Sequence, residues 1–131
     1  DEKVIELASK HFYTRGVKLV HSDAFDYVNQ ARKNGWKYSL LIVDLFVNEL
    51  SPNYSLAQLE SFKSILSPNG KMIINTMLDD QEFRDLELKL QELNIKYESW
   101  IKVEGNRVII AWFFLPLGEQ KSNGENQFVI T

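Results

Sequence analysis

Val4, Leu7, Ala8, His11 and Phe12 recur at helical spacing, which predicts an amphipathic helix over residues 2 to 13 that ends at Gly16. Val17 to His21 (VKLVH) then reads as a short strand. Asp23 stands where an N-cap belongs, Phe25, Val28 and Ala31 share one face behind it, and Asn34-Gly35 closes that helix. Tyr38 to Phe46 (YSLLIVDLF) is a nearly continuous apolar run rich in β-branched residues, the pattern of a strand covered on both faces.

Ser55 and Gln58 form a capping box, and Leu59, Phe62 and Leu66 are the inner stripe of the helix it opens. Ser67-Pro-Asn-Gly70 is turn chemistry, and Lys71 to Thr76 is a second buried strand. Asp79 and Asp80 place negative charge at the start of a further helix with Phe83, Leu86, Leu90 and Leu93 inward. Strands over 96 to 103 and 107 to 115 follow, joined through Glu104-Gly-Asn106 as an antiparallel hairpin. This alternation predicts an α/β domain over residues 1 to 116, a mostly parallel sheet with helices on both faces that ends in the hairpin. Residues 117 to 131 read as a flexible C-terminal tail, in which Gln127 to Thr131 is a fraying strand or no element at all.

Composition narrows the classes. With 131 residues the chain is long enough for a core of its own, and without cysteine it offers no thiol nucleophile, zinc-thiolate site or disulfide scaffold. Its 18 acidic residues against 15 basic ones, with no basic block, argue against nucleic-acid binding through phosphate neutralisation. The longest apolar run, Val108 to Leu117, is half of the roughly 20 residues that span a bilayer. The expected setting is the cytoplasm, with no membrane partner. His11 and His21 have no further ligands at metal spacing, and Trp36, Trp100 and Trp112 lie at core periodicities rather than among basic residues.

Four segments carry a family likeness: Asp1 to Phe12 (DEKVIELASKHF), His21 to Ala24 (HSDA), Leu41 to Leu45 (LIVDL) and Leu66 to Asn75 (LSPNGKMIIN). In this order and spacing they resemble the spermidine synthase family, within the wider class of S-adenosylmethionine-dependent methyltransferases. The resemblance runs from Asp1 to Phe114 and implies a Rossmann-like methyltransferase fold. The family's first two strands, which would sit between Val17 to His21 and Tyr38 to Phe46, are expected to be missing. The edge of Leu40 to Val43 would then be unpaired, to be covered by the Val17 strand sliding over or, as expected here, by a partner chain, either an N-terminal piece or a symmetric copy.

The resemblance also implies roles. Asp23 would accept from the exocyclic amine of the cofactor's adenine, and the amide of Ala24 would meet a ring nitrogen; Asp23 as a simple helix cap is the alternative, and both can hold together. Asp44 ends an apolar strand where open α/β sheets place their ligands, and there it would border the cofactor and take a proton from an attacking amine. Desolvation of that carboxyl would suit it to base work. The competing reading makes Asp44 a strand-terminating residue bonded to neighbouring amides.

The chain departs from the family in three places. The second acid of its Asp-x-x-Asp pattern is Val47 here, with Glu49 out of register; no glycine pair forms a G-x-G loop; and the ribose-binding acid would precede Asp1. The expectation is a transferase domain, for methyl or aminopropyl transfer to a small-molecule or polyamine substrate, inactive as this isolated chain. It would take S-adenosylmethionine or its decarboxylated form only with the missing N-terminal elements. The alternative is a degenerate transferase domain that serves as a binding or assembly module.

Overall fold

The computed structural model describes residues 2–11, 20–46, 52–101, 107–112 and 127–130. Four helices, α1 (Glu2–His11), α2 (Ala24–Asn34), α3 (Leu56–Ser64) and α4 (Asp80–Glu92), accompany five strands, β1 (Tyr38–Val43), β2 (Leu66–Thr76), β3 (Lys96–Ile101), β4 (Arg107–Trp112) and β5 (Gln127–Ile130). The expected strand over Val17 to His21 lies mostly outside the described residues, and Val20 and His21 belong to no strand. The turn proposed at Glu104 to Asn106 also lies outside them.

Local signals set the element ends as the sequence suggests. The Asp23 carboxylate accepts from the amides of Phe25 and Asp26 at 2.9 and 3.2 Å, and Gly35 closes α2 in the left-handed region at φ 69°. Ser55 and Gln58 form both bonds of the capping box, at 3.1 and 2.9 Å. Asp79 caps α4 by accepting from the amide of Glu82 at 2.8 Å.

The turn expected at Ser67 to Gly70 is a bulge inside β2. Tyr38 faces Leu66 and Leu40 faces Lys71, so one residue of β1 spans four of β2. Asn69 takes φ 60° there, and a Cβ on Gly70 would lie 2.8 Å from the Ser67 carbonyl oxygen and 3.0 Å from that of Tyr38. Only glycine lets the two strands approach this closely.

The sheet order is β3-β4-β2-β1-β5, parallel from β2 through β1 to β5 and antiparallel across β2-β4-β3. The antiparallel hairpin thus closes one end of the sheet as expected. The other end departs from expectation: Gln127–Ile130, read as the end of a tail, pairs in parallel register with Leu40–Val43. The edge expected to need a partner chain is paired in cis, by a four-residue segment in which Phe128, Val129 and Ile130 all favour strands.

Helix α2 packs on α3, and α3 on α4. The strand residues of one face, Leu41, Val43, Met72, Ile74, Ile109 and Ala111, are fully buried, whereas Leu40, Ile42, Ile73, Val108 and Ile110 on the alternate positions are half-buried. The apolar run of β1 is therefore fully covered on one face only. Helix α1 likewise keeps Val4 and Leu7 exposed, so its predicted inner stripe is not buried by the described residues.

Candidate functional site

The site is built where β1 and β2 end side by side. Val43 pairs with Ile74, so Asp44 and Asn75 emerge next to each other, and the Asn75 side-chain amide donates to Asp44 Oδ1 at 3.1 Å. Asp44 is half-buried, and no ion pair involves it among the described residues. Thr76, the last residue of β2, is fully buried, and its hydroxyl donates to the Arg107 carbonyl at 3.0 Å, which fixes the end of β2 to β4. A carboxylate that takes one amide bond among the described residues can, through its second oxygen, bind a hydrogen-bond donor or receive a proton.

The segment that leads into α3 carries a buried tyrosine. Tyr54 is 1% exposed, and its ring meets Phe62 edge-on at 5.8 Å; Phe62 in turn stacks on Phe25 at 5.6 Å. Lys89 of α4 donates to the Tyr54 carbonyl at 2.8 Å and pins the backbone at that point. Burial, and then the negative charge of Asp44, push the Tyr54 phenol well above the ordinary tyrosine range. The hydroxyl therefore stays protonated and lies within electrostatic reach of Asp44.

Asp23 and Ala24 stand at the start of α2. The bonds that cap the helix both fall on Oδ1 of Asp23, so capping leaves Oδ2 able to accept from a ligand. Ala24 opens the first turn, where helix amides lack intrahelical partners. Phe25, the next residue, begins an aromatic chain through Phe62 to Tyr54. No cluster of acids and histidines able to hold a metal occurs among the described residues.

Two residues of this cluster escaped the sequence reading. Asn75 sits in the segment LSPNGKMIIN, but its partnership with Asp44 depends on register across β1 and β2. Tyr54 had a local signal: an aromatic residue just before a capping box is placed to pack on the fourth helical residue, here the buried Leu59.

Set beside solved structures, this architecture is the Rossmann-like fold of S-adenosylmethionine-dependent methyltransferases. It superposes on human methyltransferase-like protein 13 in complex with SAH with a TM-score of 0.71 and 21% identity, over 93% of this chain and 61% of that one. The M1.HpyAVI-SAM complex matches with a TM-score of 0.53 and 16% identity, over 82% of this chain and 65% of that one. In sequence the chain is similar to a polyamine aminopropyltransferase of Vibrio vulnificus (strain CMCP6), 28% identical over 123 residues. That match takes in 85% of this chain and 40% of the relative's length, so the chain spans less than half of the curated protein it resembles. No family model matches the chain. Fold and sequence likeness thus agree on the methyltransferase and spermidine synthase-like superfamily.

Proposed function

We propose that these residues form part of an S-adenosylmethionine-dependent transferase domain, with Asp23 and Ala24 at the adenine and Asp44 at the reacting group. The observation that carries this reading is the Asp44–Asn75 pair at the carboxyl ends of two adjacent parallel strands. Ligands of open α/β sheets bind there. The solved neighbour crystallised with SAH supports a cofactor of this type, and the aminopropyltransferase likeness supports a decarboxylated form and an amine acceptor as the narrower alternative to methyl transfer.

In this reading Asp44 accepts a proton from the attacking group, and Asn75 holds the carboxylate so that its free oxygen faces the substrate. Asp23 acts earlier, by binding. Val47 in place of a second acid removes one anchor that a polyamine would use. It favours the second reading, a domain that retains a binding surface without transfer. The deciding experiment is a transfer assay on a domain that also contains the first two strands and the glycine-rich loop, with Asp44→Asn beside the wild type. Loss of turnover with cofactor affinity retained supports the enzyme reading, and the absence of any turnover in the wild type supports the binding module.

A further inference from the structure

Among the described strands, β5 pairs with β1 alone, through Leu40 with Gln127, Leu41 with Phe128, Ile42 with Val129 and Val43 with Ile130, and it ends the sheet. Lys71 pairs with both Leu40 and Trp112, so Trp112, Lys71, Leu40 and Gln127 form one row across β4, β2, β1 and β5. The end of β4 and the start of β5 therefore stand at the same end of the sheet, three strand spacings or about 14 Å apart. The fourteen residues 113 to 126 that join them reach about 46 Å when fully extended, about three times the distance to be crossed.

The edge that β5 covers is made for a strand. Leu40–Val43 is wholly apolar, with no charge or proline to discourage a further strand, whereas β3 at the opposite edge carries the exposed Lys96 and Glu98. The structure also shows what fits there: an uncharged segment, Gln127 and then Phe128, Val129 and Ile130, running parallel in unbroken register. Every copy of the chain carries both the slot and that segment. A strand supplied in trans would make the same four pairs, so an exchange loses none of them. What favours the resident strand is the effective concentration that its tether confers, which for short linkers is of roughly millimolar order.

We propose that the outer edge of β1 is an exchangeable strand site: β5 is its resident occupant, and the segment that displaces it in trans is Gln127–Ile130 of a second copy, so that two chains pair by giving each other this strand. The inference does not depend on the transfer reading, because the pairs end at Val43, before Asp44. The exchange also leaves the rest of the sheet in place, since β1 keeps its ladder to β2, and β2 its ladder to β4.

The test follows amide exchange in the isotopically labelled full chain while an unlabelled peptide of residues 121 to 131 (KSNGENQFVIT), standing for the strand of a second copy, is added in excess. The chain's own Phe128, Val129 and Ile130 amides should lose protection, with half displacement at roughly millimolar peptide, while Leu41 and Val43 stay protected because the peptide takes over their pairs. A peptide carrying Val129→Pro, which lacks one N–H, should displace β5 about tenfold less effectively or not at all. Resident amides that ignore the peptide would overturn the proposal. Peptide binding that leaves them protected would overturn it too, by placing the peptide elsewhere. In a second arm, deletion of residues 114 to 125 leaves two linking residues, whose reach of about 11 Å cannot close the row in cis. Light scattering should then find a dimer, whereas fourteen Gly/Ser residues in place of 113 to 126 should leave the wild-type state unchanged. A folded monomer of the shortened chain would overturn the exchange, and should that chain fail to fold, the displacement experiment decides alone.

Discussion

Asn75 holds Asp44 across the ends of two neighbouring parallel strands, at 3.1 Å, in a register fixed one residue earlier by the pairing of Val43 with Ile74. The bond makes the orientation of the carboxylate a property of the sheet rather than of a loop. A group placed in this way is pre-organised, because the strands that carry it cannot drift apart without breaking the ladder between them.

If Asp44 is the base of the proposed reading, Asp44→Asn keeps the shape and removes it. In a domain that has the N-terminal strands, the substitution should lower the transfer rate by about 10²–10⁴-fold, as general-base losses do, with little change in cofactor affinity. Asp23→Ala should instead weaken cofactor binding with a smaller effect on the saturated rate, because an adenine contact is equally strong in the ground and transition states. Steady-state kinetics on both variants separates the two roles, and normal turnover by Asp44→Asn would make Asp44 a structural strand end.

Residues 1 to 131 alone should bind S-adenosylmethionine weakly or not at all. The adenine contacts proposed for Asp23 and Ala24 would contribute about 1 kcal/mol each, too little to offset the entropy lost on capture. Micromolar affinity in titration calorimetry would refute this expectation.

Gly70→Ala should destabilise the fold by about 1–3 kcal/mol, since the new methyl would press on two backbone carbonyls that cannot yield. Gly35→Ala meets nothing within 4 Å and should cost about 1 kcal/mol, from its positive φ alone. Urea unfolding of the two variants measures the difference.

Tyr54 predicts an alkaline sensitivity. Its folded-state pKa is raised, so the stability it contributes is intact below the unfolded tyrosine value near 10 and is lost as pH rises beyond it. Melting temperature measured from about pH 9 to 11 should therefore fall more steeply in the wild type than in Tyr54→Phe. Parallel slopes would place the phenol in a solvent-like environment.

Features that depend on a few adjacent residues were legible from the chain. Asp23 with Gly35, Ser55 with Gln58, and Asp79 before α4 each define an element end by bonds spanning a few residues. The position of Asp44 directly after β1 was legible as well, because an acid that closes an apolar run marks a strand end. What could not be read were pairings between distant segments. Nothing local in Gln127–Ile130 says that it will lie beside Leu40–Val43, and nothing local in Asn75 says that its amide will reach Asp44. The single-sided burial of β1 was equally invisible, since an apolar run looks the same whether one helix layer covers it or two.

A chain cut after Asn126 should lose the pairing along Leu40–Val43 and leave that row of β1 backbone groups open. Self-association in light scattering, with faster amide exchange in β1, is the expected outcome. A monomer with β1 amides as protected as before would show that β5 is dispensable.

Strand β5 also has a consequence for the order of folding events. It joins residues more than eighty positions apart through four residue pairs, whereas β1, β2 and β4 are held by longer ladders. Closing so large a loop for so short a ladder returns little until the rest of the sheet exists, so β5 should dock last on refolding and open first under native conditions. The sheet is then a four-strand folding unit with a late latch, and the latch lies against the strand that leads into Asp44.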